Sequence, residues 1–163
     1  MELRVLVSIW GSNFADVFLR WSLPSLLSQG NCQRVLAGGH HMTFYIYSES
    51  ATLELIRSSE VTTSVVGKEF NLFHVSETLF DGKPLDDGVE SPQGGVNTHE
   101  LQSRCYMHGM EQLTNGEVAF LFWTADFILS DGGLDWAMRQ IDNGQKAVYA
   151  DYVELKQESA SNE

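Results

Sequence analysis

The sequence predicts an α/β fold of three layers, with a mainly parallel sheet flanked by helices. Three observations carry that prediction. Short apolar, β-branched runs alternate along the chain with segments whose apolar residues recur at helical spacing. The apolar runs are nearly continuous in character, as strands covered on both faces require. Clusters of Gly, Asn, Asp and Ser separate the segments.

The first run, Leu3 to Ile9, reads as a strand, and Gly11-Ser12-Asn13 breaks it. Ser12 or Asn13 is placed to cap the helix that follows, where Phe14, Val17, Phe18, Trp21 and Leu26–Leu27 recur at helical spacing. Pro24 removes the hydrogen bond to Arg20, so this helix should kink or restart there. Thr43 to Ser48 is the second strand, and Glu49-Ser50 open a helix through Leu53, Leu55 and Ile56. Val61–Val66 and Asn71–Val75 read as shorter β pieces. Residues 81–97 form a Gly- and Asp-rich loop of about seventeen residues, longer than most ordered connections and expected to be mobile or functional. Thr98 caps a helix with Leu101, Cys105, Met107–His108 and Met110 facing inward, stopping near Asn115-Gly116. Glu117 to Trp123 is the most hydrophobic strand. A helix over about Leu134 to Ile141, ended by Asn143-Gly144, leads to a final strand at Lys146–Ala150.

A length of 163 residues argues for one domain, here 1–153, followed by a polar, frayed tail at 154–163. Ten Lys plus Arg against twenty-two Asp plus Glu give a formal charge of −12. So few basic side chains cannot drive binding to nucleic acid by counterion release. The apolar run at the N-terminus is shorter than the ~7–15 residues of a secretory signal, and Glu2 stands where its positive charge belongs. No stretch approaches the ~20 apolar residues of a membrane span. Two distant cysteines, Cys32 and Cys105, do not make a disulfide framework. These features lead to the expectation of a cytoplasmic protein with reduced thiols.

In parallel sheets, ligands bind outside the carboxyl ends of the strands, which points to Ser8–Asn13, Ser48–Ser50 and Trp123–Asp126. Asp126 directly follows a buried strand, where a carboxylate can hold a divalent cation or serve as an Asx-turn residue. Glu49 can accept hydrogen bonds from a base or ribose, or sit in the first turn of its helix as the dipole favours. Ser8 to Asn13 can let backbone approach a ligand. Neither the Gly-rich dinucleotide fingerprint nor the P-loop motif occurs. Cys105 and His108 share a helix face with His99 nearby, but their spacing fits no four-ligand zinc site. Core packing for Cys105 and for the Met107–Met110 cluster, with the histidines at the surface, is the simpler reading.

Several strings, in order, resemble one family. They are Val7-Ser8-Ile9-Trp10-Gly11, then Phe18 to Leu27, then Tyr45-Ile46-Tyr47-Ser48-Glu49, then Phe120 to Gly132. Together they resemble the nucleotide-binding half of GT-A-type glycosyltransferases, in particular the bacterial family-2 kind, which has a Rossmann-like fold. The resemblance implies a transferase that binds a nucleotide-sugar donor. It implies base and ribose contacts at Ser8, Trp10, Gly11 and Glu49, and a donor contact from Arg104 or His108. It also implies metal binding, by Mn or Mg, at Asp126, which matches the last carboxylate of the family's D-x-D element. Thr124 stands where the first Asp of that element falls.

Full enzymes of this kind carry a further acceptor-binding half. The chain is therefore expected to be minimal, truncated, a homo-oligomer, or completed by another chain. The alternative function is a non-catalytic binding or assembly module that keeps the fold without the chemistry.

Overall fold

The computed structural model describes residues 1–63, 68–79, 98–112 and 116–149. Four strands, β1 (Glu2–Ser8), β2 (His41–Ser48), β3 (Lys68–His74) and β4 (Val118–Thr124), form one all-parallel sheet in the order β3-β2-β1-β4. The arrangement is α/β, flanked by helices, and compatible with a Rossmann-like fold. The first strand occupies the centre because it is apolar toward both layers: Leu3 to Ile9 are all buried.

Alternate residues along each strand point to opposite faces, and the two faces have different covers. Leu3, Val5 and Val7, with Met42, Phe44, Ile46, Leu121 and Trp123, meet the larger core. That core is completed by α1 (Ser12–Val17), α2 (Leu23–Leu27), α3 (Arg34–Ala37), α4 (Ser50–Ser58) and α8 (Gly133–Asp142). Tyr45, Tyr47 and Phe73 point the other way, against α6 (Val75–Leu79) and α7 (Thr98–Glu111), through Val75, Leu101 and Cys105. A further short helix, α5 (Glu60–Thr63), follows α4.

Pro24 has the predicted effect in a specific form. Widened π-helical turns span Phe18–Ser22, and a new α-helix starts at Leu23 with the proline in its first turn. A second π-helical run, Gln29–Gln33, precedes α3. Its Asn31 is fully buried, donating to Ser25 O and Ser130 O and accepting from Leu134 N. A Cβ at Gly30 would displace the Asp131 carboxylate, the end of an exposed side chain.

Several expectations are corrected. The cap of α1 is Gly11 at φ +82°, a conformation suited to glycine, and neither Ser12 nor Asn13 supplies a side-chain cap. Phe14, Trp21, Leu55, Met107 and Met110 are exposed, so their helical spacing does not mark a buried face. Residues 61–63 are helical despite three β-branched side chains. Thr62 Oγ1 shares its one proton between Ile56 O and Ser59 O, tying the segment to the end of α4. The third strand is one residue run of Lys68–His74, and Val75 opens α6. Residues 146–149 form no strand. The helix α7 ends at Glu111, before Asn115-Gly116, because the buried Arg4 guanidinium takes its last carbonyls: it donates to Gly109 O and Gln112 O, each at 2.7 Å. The expected loop 81–97, the strand residue Ala150 and the tail 154–163 lie outside the described residues.

Candidate functional site at the carboxyl edge of the sheet

Strand register decides which candidates meet. Ser8 pairs with Tyr47 on one side and Thr124 on the other. The ends of β1, β2 and β4 therefore bring Ser8–Gly11, Ser48–Glu49 and Thr124–Asp126 to one edge, as the sequence placed them. Arg104 and His108 both lie on α7. Arg104 is exposed and paired with Glu100 at 2.5 Å on its own helix. His108 adjoins Gly109, whose position faces Leu6, and its ring reaches side chains from the last two residues of β2 and β3. Its Nδ1 lies 2.8 Å from the Tyr47 hydroxyl and its ring packs edge-on to Tyr47 and Phe73.

Glu49 is the most constrained residue of the edge. Its carboxylate accepts from Gly11 N at 3.0 Å, from Ser48 Oγ at 2.9 Å and from Thr52 Oγ1. Partial burial works against its charge, yet these donors more than offset it and hold the carboxyl below the ordinary value. The Ser48 hydroxyl shares its one proton with Ile9 O, 2.6 Å away. Glu49 and Ser48 thus fasten the turn after β1 to the turn after β2, and Gly11 N, an obvious donor for a ligand, is already engaged. Trp10 packs on the smaller core beneath this turn.

Asp126 is exposed and accepts from Thr124 Oγ1 at 2.8 Å, while Phe127 N donates to Thr124 O at 3.3 Å. This is a β-turn over Thr124–Phe127, braced by the bond between the Thr124 and Asp126 side chains, and it leaves the other carboxylate oxygen turned to solvent. No group of three His, Cys, Asp or Glu able to hold a metal occurs among the described residues. A cation at Asp126 would need its other ligands from water and from a bound phosphate, a mode usual for magnesium. Cys105 is fully buried in the smaller core, where burial pushes its thiol up to about 12, as the packing reading expected.

The sequence did not reveal Tyr106. Its hydroxyl accepts from Gln102 Nε2 at 3.0 Å, donates to Trp123 O at 3.0 Å and meets the Ser8 hydroxyl. Burial, partly countered by those bonds, pushes the phenol up to about 12. Tyr106 thereby ties α7 to the ends of β1 and β4. The i,i+4 spacing of Gln102 and Tyr106 was the only sequence signal available. A cleft of about 400 Å³ lies elsewhere, between α4, α5 and β3, lined by Ile56, Arg57, Thr62, Phe70, Asn71 and Leu72. None of the candidate residues lines it, so its size says nothing about the carboxyl edge.

No helix among the described residues is long and apolar enough to cross a membrane. Comparison with family models, with curated proteins and with solved structures finds no match for this chain.

Proposed function

We propose that this chain is a GT-A-like domain that binds the nucleoside diphosphate part of a sugar donor at the carboxyl edge of its sheet. One observation carries the reading: parallel register gathers Ser8–Gly11, Glu49 and Asp126, from three separate strands, at the edge where such sheets take ligands. In this reading Glu49 acts on the donor indirectly, by holding the Gly11 turn in shape, with Ser8 and Trp10 lining the approach. Asp126 offers its free oxygen to a divalent cation, and Mn or Mg bound there supplies charge neutralisation to the diphosphate.

A second reading, binding or assembly without sugar transfer, is favoured by a specific observation. Thr124 stands in place of a second carboxylate, and its hydroxyl spends itself on Asp126. The two readings share the donor site and differ in turnover.

The test is thermal unfolding with nucleoside diphosphates and their sugars, with and without Mn. A ligand at a hundred times its Kd contributes about 2.7 kcal/mol, which raises Tm by roughly 5–10 °C at this chain length. Asp126→Ala should abolish the Mn-dependent part only. If no nucleotide raises Tm, the donor site does not exist. Detectable hydrolysis or transfer of the sugar decides for the enzyme over the module.

A further inference from the structure

We infer that β4 is an interface strand whose occupant is a second copy of this chain, paired antiparallel across a two-fold axis at Leu121. β4 bonds to β1 along one edge, and no described residue pairs with its other edge. Its sequence, Val118-Ala119-Phe120-Leu121-Phe122-Trp123-Thr124, contains no charge and no proline, the devices by which open edges normally repel a visiting strand. On the α7 side, Phe120 and Phe122 remain 37% and 49% exposed, with their rings stacked at 6.5 Å between centroids.

Three observations bear on a second copy. The first is charge. Chains carrying −12 each repel one another, and β4 is a seven-residue strip free of acids, so at this edge two copies can approach without opposing carboxylates. The second is self-complementarity. Antiparallel pairing about Leu121 sets Phe120 opposite the second copy's Phe122, and Phe122 opposite its Phe120. Each exposed ring gains an aromatic cross-strand neighbour, and the contact is the same from both sides, as a two-fold interface requires.

The third concerns the chain beyond Tyr149, one competing occupant. The helix α8 shares a face with the helices joining β1 to β2 and β2 to β3, and it ends beside His40 at the amino end of the sheet. A parallel strand added outside β4 after α8 would cross over with the opposite hand to those connections. Parallel sheets almost never mix hands. A second copy meets no such obstacle, and the paired sheets become one continuous sheet of eight strands.

Two exposed rings and one strand edge are small beside the roughly 800 Å² per partner of a standard interface, so the association is weak and depends on concentration. Sedimentation of the full chain between about 5 and 500 µM, the range in which small interfaces associate, reads it directly. The expected result is a reversible monomer–dimer equilibrium that Phe122→Glu weakens at least tenfold. Trp136→Glu, which alters an exposed aromatic on α8, should leave it unchanged. Register is read by mixing Phe120→Cys chains with Phe122→Cys chains under mild oxidation. The mixed disulfide should form faster than either variant links to itself, and this holds even if the charged variant misfolds. A wild-type chain that stays monomeric throughout overturns the inference. So does a dimer that Phe122→Glu leaves intact, or a monomer whose β4 amides resist hydrogen exchange because the chain covers its own edge.

Discussion

Arg4 and Gly109 stand 105 residues apart in the chain, yet the guanidinium of one donates to the carbonyl of the other at 2.7 Å. Arg4 is fully buried, its remaining nitrogens held by the Glu2 carboxylate at 3.0–3.1 Å and its plane 4.7 Å from the Tyr45 ring centroid. A buried cation here is matched by a carboxylate and by the negative end of α7. The same residue fixes where α7 ends and how closely it lies on the sheet. A Cβ at Gly109 would come within 2.5 Å of a Leu6 methyl.

Replacing Arg4 with Met should therefore cost about 3–5 kcal/mol, because it leaves Glu2 and two helix carbonyls without their partner. Urea unfolding followed by circular dichroism measures the loss. Changing Glu2 to Met as well should recover only part of it, since the Gly109 and Gln112 carbonyls stay unsatisfied. Full recovery would mean that the ion pair, and not the helix cap, is what Arg4 provides.

Acid should weaken the fold through Glu49 and Glu2. At both sites burial disfavours the charge but hydrogen bonds, with the Arg4 charge at Glu2, prevail and lower the carboxyl below 4.5. Below that value the unfolded chain binds more protons, so this stabilisation is complete above the unfolded pKa and is lost as pH falls through the folded one. Glu49→Gln should flatten that acid limb. Its cost at neutral pH is only about 1 kcal/mol, because the site is partly screened by solvent. An unchanged acid limb in the variant would remove Glu49 from this role.

Asn31→Ala should cost about 2–3 kcal/mol, since it orphans a buried Leu134 N–H and two carbonyls. Hydrogen exchange at Leu134 should accelerate in step with the loss of stability. Retained protection at that amide would show that the segment after β4 is held by something other than Asn31.

Neither cysteine should react with a thiol reagent in the native state near pH 8. Both are buried, and the Cys105 thiol is pushed up to about 12. Reaction should begin only as urea unfolds the chain. Rapid native labelling of Cys105 would mean that α7 opens away from the sheet.

The parts of this fold legible in the sequence were those that local patterning controls. The strands β1, β2 and β4 are apolar on both faces, and parallel pairing makes that continuous. Knowing the strand ends was enough to place Ser8, Glu49 and Asp126 at one edge. What stayed hidden depends on distant partners. The burial of Arg4 rests on carbonyls more than a hundred residues away, and Tyr106 acquires its place only from Trp123 and Ser8. Residues 61–63 have strand propensity, but the shared hydroxyl bond from Thr62 to the end of α4 holds them helical. The roles of the site residues shifted too. Glu49 read either as an acceptor for a base or ribose or as a first-turn carboxylate, and its oxygens are engaged by the chain's own donors.

The central strand is also the first to be synthesised, and its two neighbours come at very different times. Glu2 pairs with His41 on one side and with Val118 on the other. At about 5–20 residues per second, the second neighbour follows the first strand by roughly 6–25 s of translation. During that interval β1, β2 and β3 can assemble, while the β1 edge that β4 will occupy stays open and Arg4 has no helix to cap. A nascent chain of this protein thus spends seconds with its central strand unpaired on one side, and this is the stage at which a ribosome-bound chaperone would find it.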